Sequence, residues 1–313
     1  MGKLRVVFMG TPDFAVPCLT MLIKEEFPVA AVVTQPDRPK GRGQKLAYSP
    51  VKEAALTYKL PVLQPETIKT DQFYNQLKAL APDVIIVVAF GQLLPSRILA
   101  LPAHGCINVH ASLLPKYRGS APIHWAIING ETKTGITTMH MDTGMDTGDI
   151  IFKAELPILP TDTTGSLHDK LRDLGATVLA DTLQHLAAGQ APRTPQVEAD
   201  STYARMLDRD TERIDWHQPA VAIHNLVRGL NPWPGAYCIL QNKTMKIWQT
   251  NVHSETQTCT EPGRVVQITK TGLVVETGQG LIELQEVQPA SKRRMKASDC
   301  VCGYCLTVGN LFE

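Results

Sequence analysis

Two textures of hydrophobic patterning divide the chain. Across the first, short apolar runs at 4–9, 29–34, 61–64 and 84–90 alternate with stretches of helical spacing. The longer runs are apolar throughout instead of alternating, as strands covered on both faces are. Between them the spacing predicts helices over 13–26, 50–58 and 68–80. Ser49-Pro50 opens the second of these as a cap followed by a proline at the first helical position. A further helix before Cys106, a strand over 106–110, a helix over 121–129, strands over 135–141 and 150–155, and a long helix over 165–188 complete this half. The alternation predicts an α/β fold, a Rossmann-like, doubly wound, mostly parallel sheet with helices on both faces.

The second texture begins after a stretch, 189–201, that is poor in apolar positions and carries Pro192 and Pro195. It reads as a linker. The expected organisation is a first domain over 1–189, a linker over 190–207 and a second domain over 208–313. After a helix over 220–228 and a rigid Asn231-Pro232-Trp233-Pro234-Gly235-Ala236 turn, short strands are predicted over 237–240, 245–250, 263–269, 272–277 and 281–287. Short strands at this spacing predict a small, OB-like β-barrel.

Composition changes this picture little. At 313 residues, 43% hydrophobic and 19% charged, the chain has the make-up of an ordinary globular protein with room for two cores. A net charge of +1 means that any contact with a polyanion must be a local patch. Two such patches exist. The segment 35–46, too long for a plain βα connection, carries Arg38, Lys40, Arg42 and Lys45. Lys292-Arg293-Arg294-Met295-Lys296 stands in a half that is otherwise balanced, with eleven Lys or Arg against eleven Asp or Glu from 208 to 313. Either could be a solvated surface; a basic loop and a basic barrel edge also suit a nucleic acid. No run approaches the length of a membrane helix. Seven cysteines, an odd number, with Met1-Gly2-Lys3 leading almost directly into a strand, predict free thiols in a reducing compartment. Cys300, Cys302 and Cys305 hold one Cys-x-x-Cys pair and lack a fourth ligand, so no metal site is expected.

Candidate chemistry concentrates in CINVHASLLPKYRG, 106–119, and MHMDTGMDTGD, 139–149. Asn108 and His110 are two apart at the end of a strand, so their side chains leave it on one side. In the second stretch Asp142, Asp146 and Asp149 alternate with Gly144 and Gly148. An amide donor, an imidazole and a carboxylate on adjacent sheet ends can run acyl chemistry on an amine. The same spacing also fits a satisfied core histidine and aspartates that cap turns. The turn after Gly10 does not support dinucleotide binding, because no further glycine follows to bring backbone against a pyrophosphate.

Six segments carry a resemblance. FMGTPDFA (8–15), TQPDRPKGRGQKL (34–46), NVHASLLPKYRGSAPIHWAI (108–127), MDTGMDTGD (141–149), NPWPGA (231–236) and QPASKRRM (288–295) make the chain similar to the methionyl-tRNA formyltransferases. The Asn-x-His-x-Ser-Leu-Leu-Pro run and the later Asp-Thr-Gly are shared with folate-dependent formyltransferases acting on other amines. The basic loop, the Asn-Pro-Trp-Pro-Gly-Ala turn and the second domain make the match specific. Ala111 stands where many relatives have glycine, and the three C-terminal cysteines belong to no family pattern.

The resemblance implies transfer of a formyl group from 10-formyltetrahydrofolate to the α-amino group of methionine on initiator tRNA, for translation initiation. It implies a catalytic first domain and a tRNA-binding barrel. By the same resemblance Asn108, His110 and Asp146 are catalytic, and the folate lies against Ser112, Leu113, Leu114 and Pro115. Arg38, Lys40, Arg42, Lys45, Lys292, Arg293 and Arg294 face the tRNA, Arg42 foremost. No metal, no NAD and no membrane are expected, and the expected state is a cytoplasmic monomer. Two rivals remain. A formyltransferase acting on a small amine would leave the second domain and the basic loop without a purpose. An RNA-binding protein on a retired enzyme fold would have no need of Asn108, His110 and Asp146 together.

Overall fold

Val6–Gly10 and Val84–Val88 are buried at every position and pair in parallel, which is why neither alternates in sequence. They form the centre of a seven-stranded sheet in the order Ile150–Pro157, Lys133–His140, Cys106–His110, Val84–Val88, Val6–Gly10, Val29–Val33, Val62–Leu63. The five strands from Cys106–His110 to Val62–Leu63 run parallel, and Lys133–His140 is antiparallel to Cys106–His110. The expected doubly wound, mostly parallel sheet is therefore present. This computed structural model describes residues 2–40, 45–257, 259–304 and 306–313. It divides into two units, Met1–Pro122 with Thr134–Pro157 and His168–Ala204, and Ile123–Lys133 with Ile158–Leu167 and Arg205–Glu313.

Helix boundaries follow local chemistry. The helix expected over 13–26 splits into a 3-10 turn, Asp13–Ala15, and a helix, Val16–Lys24, because Pro17 has no N–H to give and suits only a first turn. Ser49 caps Pro50–Thr57, its hydroxyl accepting from the Lys52 N–H at 3.1 Å, and Thr70 caps Asp71–Ala79 in the same way. The basic segment expected as a loop has a hairpin stem. Arg38–Lys40 pairs antiparallel with Lys45–Ala47, a two-stranded ribbon whose arms satisfy one another, while Arg42 lies outside the described residues. The base of the stem is tied down by Asp37, whose carboxylate pairs with Lys52 at 2.5 Å and accepts from Gln64 at 2.8 Å.

The stretch 190–204, expected within a linker, is fastened to the first unit. Thr194 and Ile150 exchange two backbone hydrogen bonds, and Tyr203–Ala204 pairs in parallel with Arg118–Gly119. Two prolines and a lack of apolar residues made it look loose; backbone pairing, which that pattern does not register, holds it.

In the second unit the sheet order is Ala236–Leu240, Lys243–Ser254, Leu281–Pro289, Leu273–Glu276, Val265–Ile268, with antiparallel neighbours. The C-terminal residues join its two edges. Glu313 exchanges hydrogen bonds with Ile239 on one edge, while Asn310 and Phe312 bond to Val265 and Gly263 on the other. The sheet thus closes into a small barrel, and closure removes the exposed edges. Its core includes Ile247, Val265, Val275, Ile282, Leu284 and Phe312, and the helix Ala220–Gly229 packs Ile223 and Val227 onto it. Among the described residues no helix is long and apolar enough to cross a membrane. Cys18, Cys106, Cys238, Cys259 and Cys300 are free thiols.

Candidate active site

Asn108 and His110 sit on Cys106–His110, opposite Met139 and Thr137 of the antiparallel neighbour. The chain then enters a tightly bonded segment. The buried Thr137 hydroxyl donates to the Ser112 carbonyl at 2.6 Å and accepts from the Leu114 N–H at 3.1 Å, and the Ser112 hydroxyl donates to the Lys116 carbonyl at 2.7 Å. The Leu114–Pro115 peptide is cis. This path brings the Tyr117 carbonyl to 3.0 Å from His110 Nε2. A carbonyl only accepts, so Nε2 carries the proton and Nδ1 is the nitrogen turned to the site.

Asp146 comes from the acidic turn. Gly148 is required there by close approach, since a Cβ would lie 1.8 Å from the His140 carbonyl oxygen. Asp142 pins the turn, accepting from the Gly144 N–H at 2.9 Å and the Thr147 hydroxyl at 2.7 Å. Asp149 pairs with Arg193 at 3.2 Å. Asp146 alone turns inward, with a backbone φ of 56°. One of its oxygens accepts from Asn108 Nδ2 at 3.2 Å; the other accepts from the Gly119 N–H at 2.9 Å and lies 3.7 Å from His110 Nδ1. Gly119, at φ 112°, passes so close to Ala204 that a Cβ would meet its carbonyl oxygen at 2.8 Å.

The three side chains picked out from sequence thus converge. His110 is only 7% exposed, and its Nδ1 faces the Asp146 carboxylate across 3.7 Å. Asn108 spends one of its amide hydrogens on Asp146 and keeps a second. Beyond the Cys106 end of the strand a cavity of about 440 Å³ opens among Leu99, His104, Cys106, His140, Met141 and Arg193. Burial, with Arg193 nearby, lowers the pKa of His140, and burial pushes the Cys106 thiol up to about 12, so neither carries charge there at neutral pH.

The other expected residues are more scattered. Ser112 and Leu114 are buried, while Leu113 and Pro115 are half-buried beside them. Arg38 is exposed on the hairpin stem; Lys40 and Lys45 pair across it, and their side chains, like Arg42, lie outside the described residues. Lys292 and Arg293 are exposed. Arg294 is committed within the second unit: it bonds Glu286 through Nε at 2.8 Å and lies 5.1 Å from the centre of the Trp248 ring. Missing from the sequence reading are Tyr117 and Gly119. Both act through backbone groups, which residue identity does not advertise; the glycine before Ser120 was the one available signal.

The fold and the residue pattern place the chain among formyl transferases. The family of that name matches residues 4–183, and its C-terminal domain matches 206–305. The chain belongs to this formyl transferase family, and the resemblance seen in the sequence is borne out. Its relatives include the methionyl-tRNA formyltransferase of Acetivibrio thermocellus, 50% identical over 98% of this chain and 99% of its own length. That of Desulforamulus reducens is 51% identical over 98% and 97%. Among solved structures, WlaRD, a sugar 3N-formyl transferase, shares the fold with a TM-score of 0.67 at 20% identity, covering 94% of this chain and 100% of its own. HypX from Aquifex aeolicus, in complex with tetrahydrofolic acid, gives 0.67 at 16% over 98% of this chain and 48% of its own. Among the described residues no group of three or more His, Cys, Asp or Glu could hold a metal ion.

Proposed function

We propose that this protein transfers a formyl group from 10-formyltetrahydrofolate to the α-amino group of methionine on initiator methionyl-tRNA, for translation initiation. The observation that carries the reading is end-to-end identity of about half to methionyl-tRNA formyltransferases, both units included.

In this reading Asn108, His110 and Asp146 do the chemistry. The amine nitrogen forms a bond to the formyl carbon, the carbonyl oxygen takes negative charge, and the bond from that carbon to folate N10 then breaks. Asn108 directs its spare amide hydrogen at the oxyanion, and His110, protonated at Nδ1, supplies a second donor. Asp146 holds the imidazolium in place and accepts the proton released by the attacking amine, directly or through one water; that proton ends on N10 of the departing folate. The catalytic domain expected over 1–189 corresponds to the first unit, which also takes in 190–204 and leaves out 123–133 and 158–167, and the tRNA-binding barrel over 208–313 belongs to the second.

Folate lies against Ser112–Pro115, where Leu113 and Pro115 offer half-buried apolar surface and Ser112 and Leu114 serve from within by holding the backbone. Arg38, Lys40, Arg42 and Lys45 meet the tRNA in this reading. Lys292 and Arg293 supply phosphate contacts from the second unit, with Arg294 held back by Glu286. The acidic and imidazole groups come from one chain, which suits a monomer, and a cytoplasmic enzyme is the reading that goes with charged initiator tRNA as substrate. The decisive assay offers 10-formyltetrahydrofolate with methionyl initiator tRNA and, in parallel, methionyl elongator tRNA. Transfer to the initiator alone is expected. Transfer to neither, with folate still bound, would redirect the search to small amines.

A further inference from the structure

We propose that Gln196 is a positioning residue for formyl transfer, a clamp that joins the two segments holding His110 and Asp146; the inference rests on the formyltransferase reading above. Gln196 lies in the stretch expected as linker, and it is half-buried. Its Nε2 donates to the carbonyls of Asp146 and Gly148, both at 2.8 Å, and its Oε1 accepts from Arg118 Nε at 3.1 Å. These contacts use two amide hydrogens and one oxygen, and the reversed amide would set oxygen against two carbonyls.

Arg118 is the other half of the clamp. It is 1% exposed and fixed on its far side by Glu198, which accepts from Nη1 at 2.8 Å. Its sequence neighbours are the two backbone groups of the site: the Tyr117 carbonyl that accepts from His110, and the Gly119 N–H that donates to Asp146. One amide therefore ties 117–119 to 146–148.

The need for such a tie lies in Asp146 itself. Its φ of 56° lies in the left-handed region, which Asp tolerates better than most residues with a Cβ but which leaves the direction of its carboxylate to whatever holds the backbone. With its carbonyl held by Gln196, the carboxylate stays between Asn108 and His110. Once released, the backbone relaxes and the carboxylate withdraws. A displacement of about 1 Å at a reacting group costs up to ~100-fold in rate.

Two substitutions separate this role from a merely structural one. Gln196→Met removes all three hydrogen bonds at nearly constant size. Gln196→Glu keeps the link to Arg118 and adds charge to it, but loses both donations. Both are expected to lower kcat about 10- to 100-fold with KM for folate and tRNA within about threefold of wild type. In Gln196→Glu the side chain is half-buried and keeps Arg118 as a partner, so the variant should stay folded, although one of its oxygens now opposes two carbonyls. On an Asp146→Asn background, adding Gln196→Met should cost less than about threefold, since both changes act on one carboxylate. Wild-type turnover by Gln196→Glu, a loss confined to KM, or an undiminished loss on the Asp146→Asn background would each overturn the proposal. If Gln196→Met does not fold, the Gln196→Glu comparison, alone and on that background, decides. A wild-type protein inactive on initiator methionyl-tRNA would instead defeat the underlying reading.

Discussion

Thr137→Val exchanges a hydroxyl for a methyl of nearly equal size at a fully buried position one strand away from His110. The hydroxyl serves two backbone groups, the Ser112 carbonyl at 2.6 Å and the Leu114 N–H at 3.1 Å. Leu114 is itself buried, so its orphaned N–H has no path to water. A buried group left unsatisfied costs ~1–3 kcal/mol, and with two groups affected the expected loss is about 2–4 kcal/mol. Against the ~5–15 kcal/mol that holds a typical domain, this is a large share. The distribution of tryptophan allows the loss to be located. Trp125, Trp216, Trp233 and Trp248, all four in the chain, lie in the second unit. Tryptophan emission therefore follows that unit, while far-UV circular dichroism follows both. With a urea slope of about 2–3 kcal/mol/M, a 3 kcal/mol loss lowers the first-unit midpoint by about 1 M. The emission midpoint should stay where it is. A dichroism midpoint within about 0.3 M of wild type would refute the reasoning and mean that 112–115 is held without the Thr137 hydroxyl.

Four further outcomes are expected. Asn108→Ala should lower kcat roughly 100- to 1,000-fold while folate still binds, as loss of one oxyanion donor does; strong folate loss would make Asn108 chiefly a binding residue. Arg42→Ala should reduce kcat/KM for charged tRNA about 10- to 100-fold and leave folate affinity alone, and unchanged turnover at low tRNA would sink that assignment. Replacing Lys292 and Arg293 together by alanine should make the plot of log affinity for tRNA against log salt shallower by about 1–2, while Arg294→Ala, already paired with Glu286, should change it less. Burial lowers the pKa of His140 and of His224 from the ordinary 6.5, so the unfolded chain takes up these protons first as pH falls. Their contribution is complete above pH 6.5 and is lost as pH drops towards the folded values. The melting temperature should fall from about pH 7.5 to about pH 5.5, less steeply in His140→Gln; a flat wild-type profile would contradict this.

How much of this was legible beforehand depends on range. Val84–Val88 and Thr164–Ala187 lie within a residue or two of where apolar periodicity puts their equivalents, because that periodicity is local and backbone hydrogen bonding along an element needs nothing distant. The Ser49 cap is equally local, whereas the split at Pro17, though local in cause, is absent from the sequence reading and appears only in the structure. The hairpin stem around Arg38 was read as loop, since a ribbon that pairs with itself needs no apolar alternation.

By itself the sequence determined the order and type of most elements, the α/β-then-barrel architecture and the family, and through the family resemblance it offered Asn108, His110 and Asp146 as candidates. Only the tertiary structure decided how those residues meet. The contacts that aim Asp146 span 27 residues to Gly119, 38 to Asn108 and 50 to Gln196. Its carboxylate points inward, while those of Asp142 and Asp149 do not, because the Gly119 N–H and the side-chain amides of Asn108 and Gln196, all from distant segments, hold that residue in place. Barrel closure by residues 310–313, and the fastening of 190–204 to the first unit, likewise depend on main-chain pairing. Side-chain pattern encodes which face is buried; it carries no record of which distant N–H or carbonyl will complete a bond.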